Sequence, residues 1–227
     1  MSDESNNPPT LGVNVSDGLG TADVFGPPAD KTQTPEYVAA KAEFNRLQAR
    51  WVVPPKKLSR WVTQADVARV VKEGQELLML CRVGRPPYKS GFAVAHSQIE
   101  ENESLRFFVM ANGLIVCNAL IINHTKIPVL KKEGCLSVVD KPERTMVPRF
   151  NKIVAKYQPL VSGGGELPVL GPVVTENMSS LPAECFCHEL DHMNGHTIYD
   201  EDWTQESCYM FGDGKVLTED EINKLYL

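Results

Sequence analysis

The segment His188-Glu189-Leu190-Asp191-His192 carries the strongest chemical signal in the 227-residue chain. Histidines at i and i+4 of a helix lie one turn apart on one face. Both imidazoles can therefore grip one metal ion, with Glu189 beside it to handle a proton. A catalytic centre of this kind needs about three protein ligands and an open position for water. The candidates for the third ligand are Cys135, Cys185, Cys187, His96, His124 and His196. Cys185 lies roughly 7.5 Å down the helix axis from the level of residue 190, beyond the reach of its short side chain, and Cys187 points about 100° away from His188. Both read as small buried hydrophobes. His196 would extend the pattern towards H-E-x-x-H-x-x-G-x-x-H, but Ile198 stands where that histidine belongs. Cys135, within Glu133-Gly134-Cys135-Leu136-Ser137, is the preferred ligand, because Gly134 lets the backbone approach closely. On residue chemistry alone His96 and His124 stay open. A thiolate with two neutral imidazoles suits Zn²⁺ or Fe²⁺ and disfavours Mg²⁺ or Ca²⁺.

The paired histidines need a helix, and the sequence supplies one from Ser179-Ser180 through Leu181 to Met193, stopped by Asn194-Gly195. Two helices are predicted earlier. One starts at Thr34-Pro35 and carries Tyr37, Ala40, Phe44, Leu47 and Trp51 at helical spacing. The other runs from Gln64 to about Arg82, capped by Thr63, with an apolar stripe of Val67, Val70, Val71, Leu77, Leu78 and Cys81. Leu105–Met110, Leu114–Ile122 and Lys152–Tyr157 read as strands. Thr218 and Glu221 form a capping box before a short last helix. The order helix, helix, strands, helix predicts an α+β domain. The expected organisation is a flexible acidic tail at 1–34, an accessory helix and linker at 35–57, and a catalytic domain at 58–227.

Composition narrows the classes. Hydrophobic residues make up 42% and charged residues 23%, as in an ordinary globular protein. No apolar run approaches the ~18 residues of a membrane helix. The net charge of −6, of which the acidic tail accounts for −4, makes nucleic acid an unexpected partner. Six cysteines are too sparse for a disulfide scaffold, and no secretory h-region is seen. A cytoplasmic protein with reduced thiols is expected.

Glu133-Gly134-Cys135-Leu136-Ser137 and His188-Glu189-Leu190-Asp191-His192, 53 residues apart, resemble the paired E-G-C-L-S and H-E-x-D-H signatures of peptide deformylases. Gly91-Phe92-Ala93-Val94-Ala95-His96-Ser97-Gln98 approximates that family's G-x-G-x-A-A-x-Q, and Val147-Pro148-Arg149 adds to the likeness. The resemblance covers roughly Leu58 to Trp203. It implies antiparallel β-sheets packed around a central helix that carries H-E-x-D-H, with helices preceding them. It also implies hydrolysis of the formyl group from N-formylmethionyl peptides or nascent chains, which makes the ribosome a candidate partner. Cys135, His188 and His192 would hold one divalent metal, Fe²⁺ in most of the family, with Zn²⁺ or Ni²⁺ as substitutes. A bound metal lowers the pKa of water from ~15.7 towards ~7, and hydroxide then attacks the formyl carbonyl. The resemblance assigns proton transfer to Glu189. It assigns oxyanion stabilisation to the Gln98 amide and the Leu136 backbone N–H. Gly91, Gly134 and Arg149 match positions near the bound peptide, which lies as an added strand. Leu181 and Cys185 would line the methionine pocket, and Asp191 would orient a ligand or the helix.

The chain departs from the pattern at Ala93, where a glycine is expected, at His96, where a small alanine is expected, and at Cys187, Val139 and Asp140. Glu143 and Arg144 read as a solvated loop. Two other functions fit the motifs less fully. One is a different H-E-x-x-H metallopeptidase, which would use His196. The other is a non-catalytic, metal-stabilised binding protein, which would need neither Glu189 nor Gln98.

Overall fold

The computed structural model describes residues 35–88, 90–141, 143–164, 167–209, 211 and 217–226. The acidic segment 1–34 lies outside them. The chain divides into two compact units, 1–44 and 45–227, and the site residues all belong to the second. The division falls before the expected boundary at 57/58, for a physical reason. Leu47 and Trp51 are buried in one cluster with Val62, Val70 and Leu77, so the residues around Pro54-Pro55 belong to the second unit.

Helix α1 spans Pro35–Gln48. A 3₁₀ turn, Gln64–Asp66, leads into α2, Val67–Val83. The Asp66 carboxylate accepts from both the backbone N–H and the hydroxyl of Thr63, each at 2.8 Å, which ties off the helix start. The buried stripe of α2 is Val67, Val70, Gly74, Leu77, Leu80 and Cys81, close to the predicted one.

Strands β1 (Ala93–Ala95), β2 (Phe107–Met110), β3 (Ile115–His124), β6 (Lys152–Ser162) and β7 (Pro168–Leu170) lie in that order in an antiparallel sheet. Strand β8 (Val174–Ser179) also pairs with β6. Strands β4 (Pro128–Glu133) and β5 (Arg144–Phe150) form a separate antiparallel pair. Helix α3 spans Leu181–Met193, and α4 spans Glu219–Leu225.

Alternation along the strands explains the layering, since successive side chains point to opposite faces. Ala93, Ala95 and Phe108 join Phe186, Leu190 and Met193 of α3 in one core. Val94, Phe107 and Val109 join Leu77, Leu80 and Cys81 of α2 in another. The sheet is therefore covered on both faces, α2 on one side and α3 on the other, as the expected α+β architecture requires. At the end of α3, Gly195 adopts φ +87°, and a Cβ there would lie 2.6 Å from the backbone nitrogen of Lys57. Only glycine fits that turn.

One expectation about local structure changes. Arg144 is not a loop residue: it belongs to β5, donates to the carbonyl of Ile198, and its guanidinium lies 4.9 Å from the Trp203 ring centre. Glu143 stays an exposed residue outside the strand, pairing with the exposed Lys132. Ala93 takes a regular strand register opposite Met110, so its extra methyl needs no unusual backbone.

Candidate metal centre

Three elements converge on one point. The end of β4 delivers Glu133, Gly134, Cys135 and Leu136. Helix α3 delivers His188, Glu189 and His192. A 3₁₀ turn after β1, His96–Gln98, delivers Gln98. The ligating atoms of Cys135, His188 and His192 all lie within 4.8 Å of one another, with Cys135 Sγ 3.4 Å from His192 Nε2. The two imidazoles stand edge to face, ring centres 4.6 Å apart.

The second nitrogen of each imidazole is engaged. His192 Nδ1 donates to the carbonyl of His196 at 3.0 Å, and His188 Nδ1 lies 2.9 Å from Glu133 Oε2. Such bonds fix ring orientation and leave Nε2 available as a ligand. Glu133 is itself clamped by Arg149, whose Nε and Nη2 donate at 2.6 and 2.7 Å. Arg149 Nη1 donates to Asp191 at 2.6 Å, and Trp203 Nε1 reaches the same oxygen at 3.0 Å. The sequence-based placement of Arg149 beside a bound peptide is therefore corrected. Its guanidinium is fully buried beneath the histidines and does not line the cleft. Asp191 is held to Arg149 and Trp203 through its Oδ2.

The electrostatics separate the cysteines. Burial pushes the Cys81 and Cys185 thiols up to about 12. Burial also opposes ionisation of Cys135, but the charge of His192 and hydrogen bonds with His188 and His192 outweigh it and bring that thiol down to about 5. The thiolate in turn helps raise both imidazoles against the opposing effect of their burial. Glu133 is brought down to about 2, because the hydrogen bonds from Arg149 and His188 overcome its burial. Burial raises Glu189, and its Oε2 is buried with no hydrogen-bond partner. A carboxylate oxygen so placed requires an explanation; a water or ion between it and the Cys/His/His cluster supplies one. One thiolate, two oriented imidazoles and an orphaned carboxylate oxygen fit a divalent transition metal with an open position.

Gln98 faces this cluster. Its Oε1 accepts from Ala95 N–H at 2.8 Å, which sets the amide so that Nε2 points to Ser137 Oγ at 3.1 Å and Cys135 Sγ at 4.0 Å. A cleft of about 280 Å³ opens above. Gln98, Leu136, Glu189, Gly91, Gly134, Leu181 and Cys185 all line it. The room left by each glycine is already taken: a Cβ on Gly134 would meet Tyr88 Oη at 2.6 Å, and one on Gly91 would meet Leu136 Cδ1 at 2.8 Å.

The remaining candidate ligands lie elsewhere. His124 stacks on Phe150, ring centres 3.8 Å apart, and His96 pairs with Glu73. The His196 ring groups with Asp200 and Asp202, and only its carbonyl serves the centre.

Four contributors were not assigned roles from the sequence. Glu133 had only its place in the motif. Tyr88 and Lys132 line the cleft. Arg85 donates to the carbonyls of Leu136 and Ser137, both at 3.2 Å.

The family model for polypeptide deformylase matches residues 88–206, which span all of these groups except Glu73, Cys81 and Arg85. The chain belongs to that family. It is 31% identical over 121 residues to a peptide deformylase of Lactobacillus delbrueckii subsp. bulgaricus, covering 49% of this chain and 60% of that protein. It is 36% identical over 101 residues to one from Thermotoga neapolitana, covering 43% and 54%. The chain thus spans little more than half the length of these two relatives. Among solved structures, the Thermotoga maritima peptide deformylase superposes with a TM-score of 0.51 at 26% identity, over 65% of this chain and 94% of that one. A Thermus thermophilus deformylase shares the fold, with a TM-score of 0.50 at 22% identity. The family is metal-dependent, and this deformylase-family chain carries a Cys/His/His group able to hold an ion.

Proposed function

We propose that this chain is a peptide deformylase that removes the formyl group from the N-terminus of formylmethionyl polypeptides. One observation carries the reading. The Cys135 sulfur and two oriented imidazoles lie within 4.8 Å of one another, and His188, Glu189 with its unpartnered Oε2, and Gln98 line one cleft.

Cys135, His188 and His192 would hold the ion, with Fe²⁺ expected and Zn²⁺ or Ni²⁺ as substitutes. Bound there, a divalent ion would supply Lewis acidity, bringing the pKa of water towards ~7. The chain's own groups supply the rest. Glu189 accepts the proton of the attacking water at its free Oε2 and delivers it to the departing amine. Its burial keeps this exchange out of bulk solvent. Gln98 Nε2 and the Leu136 N–H donate to the oxygen on which negative charge develops, where one such donor is typically worth ~10²–10³ in rate. Arg85 steadies the Leu136–Ser137 carbonyls behind that donor. Leu181 and Cys185 present an apolar wall to the methionine side chain. The peptide backbone would run past Gly91 and Gly134 beside β1, the edge strand of the sheet. Tyr88 over Gly134 would then contact the residue that follows methionine.

Nascent chains at the ribosome are the proposed substrates and the cytoplasm the proposed location. Among the described residues no helix is long and apolar enough to cross a membrane. The buried, unpartnered Oε2 of Glu189 argues against a purely structural metal, which would not need it. Release of formate from a formyl-Met peptide by metal-loaded protein tests the proposal; absence of formate from folded, loaded protein overturns it.

A further inference from the structure

We propose that His96 is a positioning residue for the amide of Gln98, held in that role by the Arg69–Glu73 pair of α2. The inference rests on the oxyanion role given to Gln98 above. His96 occupies a position where the family resemblance leads one to expect a small alanine.

His96 is fully buried. A buried imidazole is costly unless both ring nitrogens find partners, and here both do. Nδ1 accepts from the Leu105 N–H at 2.9 Å, so Nε2 carries the hydrogen and donates to Glu73 Oε2 at 2.5 Å. The ring also stacks on Phe107, centres 4.8 Å apart at 27°. Position, plane and tautomer are all fixed.

Glu73 is held in turn. Arg69 Nε, one helical turn earlier, donates to the same Oε2 at 3.1 Å, and Arg69 Nη2 reaches Glu100 Oε2 at 3.3 Å. The α2 pair therefore grips the Gln98 turn from both sides. It acts two residues before Gln98 through His96, and two residues after through Glu100. The backbone closes the bracket: Ile99 N–H donates to the His96 carbonyl at 3.0 Å, and Val52 N–H to the Gln98 carbonyl at 2.8 Å.

The orientation of the amide depends on this turn. Gln98 Oε1 is fixed by Ala95 N–H within the same few residues, so a shift of the turn carries Nε2 away from the cluster. Oxyanion donors work only when placed within a few tenths of an ångström of the developing charge, and a misplacement of 1 Å costs on the order of 10² in rate. An alanine at position 96 would remove the contacts to Glu73 and to the Leu105 backbone, leaving Arg69–Glu100 as the hold from α2.

The test compares His96→Ala, Gln98→Ala and the double variant by formate release on metal-loaded protein. His96→Ala is expected to lower kcat about tenfold while KM stays within about twofold and metal content is unchanged. In the Gln98→Ala background it should add nothing, because its effect passes through Gln98. Glu73→Gln keeps an acceptor for His96 Nε2–H and should retain kcat within about threefold, whereas Glu73→Ala should fall as His96→Ala does. These Glu73 variants carry the test should His96→Ala not fold. Turnover-independent support comes from the side-chain amide resonance of Gln98, expected sharp in the native protein and in Glu73→Gln, and shifted or broadened in Glu73→Ala. A wild-type kcat in His96→Ala, or a loss that multiplies with that of Gln98→Ala, overturns the proposal. So does a Gln98 resonance unmoved in both alanine variants. A native protein that releases no formate overturns the proposed function instead, and the resonance still decides whether His96 and Glu73 position Gln98.

Discussion

Replacing Arg149 by methionine should destabilise the metal-free protein by about 3–5 kcal/mol at pH 7, the usual cost of deleting one partner of a buried ion pair. The structure supports the figure by a second route. Arg149 is fully buried and is the cation against both Glu133 and Asp191. Burial alone would push the Glu133 carboxyl up, yet the bidentate Arg149 bond and His188 hold it at about 2 against an ordinary 4.5. At 1.36 kcal/mol per unit, that depression is worth about 3 kcal/mol. For a chain of this size the loss corresponds to a Tm lower by about 6–20 °C. The pH dependence follows in sign. A carboxylate with a depressed folded-state pKa contributes stability that is fully present above its unfolded value, near 4.5, and is lost as pH falls towards 2. In Arg149→Met the Arg149 share of the depression is lost and only His188 still favours the carboxylate, so the gap between the two proteins should be widest near neutrality and shrink from about pH 4.5 downwards. Urea unfolding at pH 7 and pH 3 measures both quantities. A cost below about 1 kcal/mol, or a gap that does not change with pH, would refute the claim that Arg149 neutralises buried carboxylates.

The other predictions concern the centre and its support. Cys135→Ser should abolish tight binding of one metal equivalent while His196→Ala retains it, read by metal analysis after dialysis; the reverse pattern would favour a different H-E-x-x-H enzyme. Gly195→Ala should cost more than about 1 kcal/mol in thermal unfolding, because φ is +87° and the new Cβ would lie 2.6 Å from Lys57 N. Thr218→Ala should cost about 1 kcal/mol by removing the cap that accepts from Glu221 N–H at 3.3 Å.

The helices were legible in the sequence because their signals are local. Thr63 before α2, Asn194-Gly195 after α3 and Thr218 with Glu221 before α4 each act within one turn, and H-E-x-D-H places its own histidines. The pair β4–β5 was not legible. Its strands interrupt their apolar residues with Lys, Glu, Arg and Pro, and Val147 and Arg149 both face inward while Met146 faces out. Arg149 was misplaced for the same reason: a charged residue in a motif reads as a surface contact unless its two acidic partners, 16 and 42 positions away, are seen beside it. His96 and Glu73, 23 positions apart, were equally invisible as a pair. The domain boundary was misread because Pro54-Pro55 signals a break, whereas Leu47 and Trp51 before it belong to the core.

The most direct test of the account is formate release from a formyl-Met peptide by native protein and by Glu189→Ala, with metal content measured on the same samples. The account predicts turnover and about one metal equivalent for the native protein. For Glu189→Ala it predicts the same metal content with turnover lower by ~10²–10⁴. Equal turnover by the two loaded proteins, or none by the native one, would contradict it.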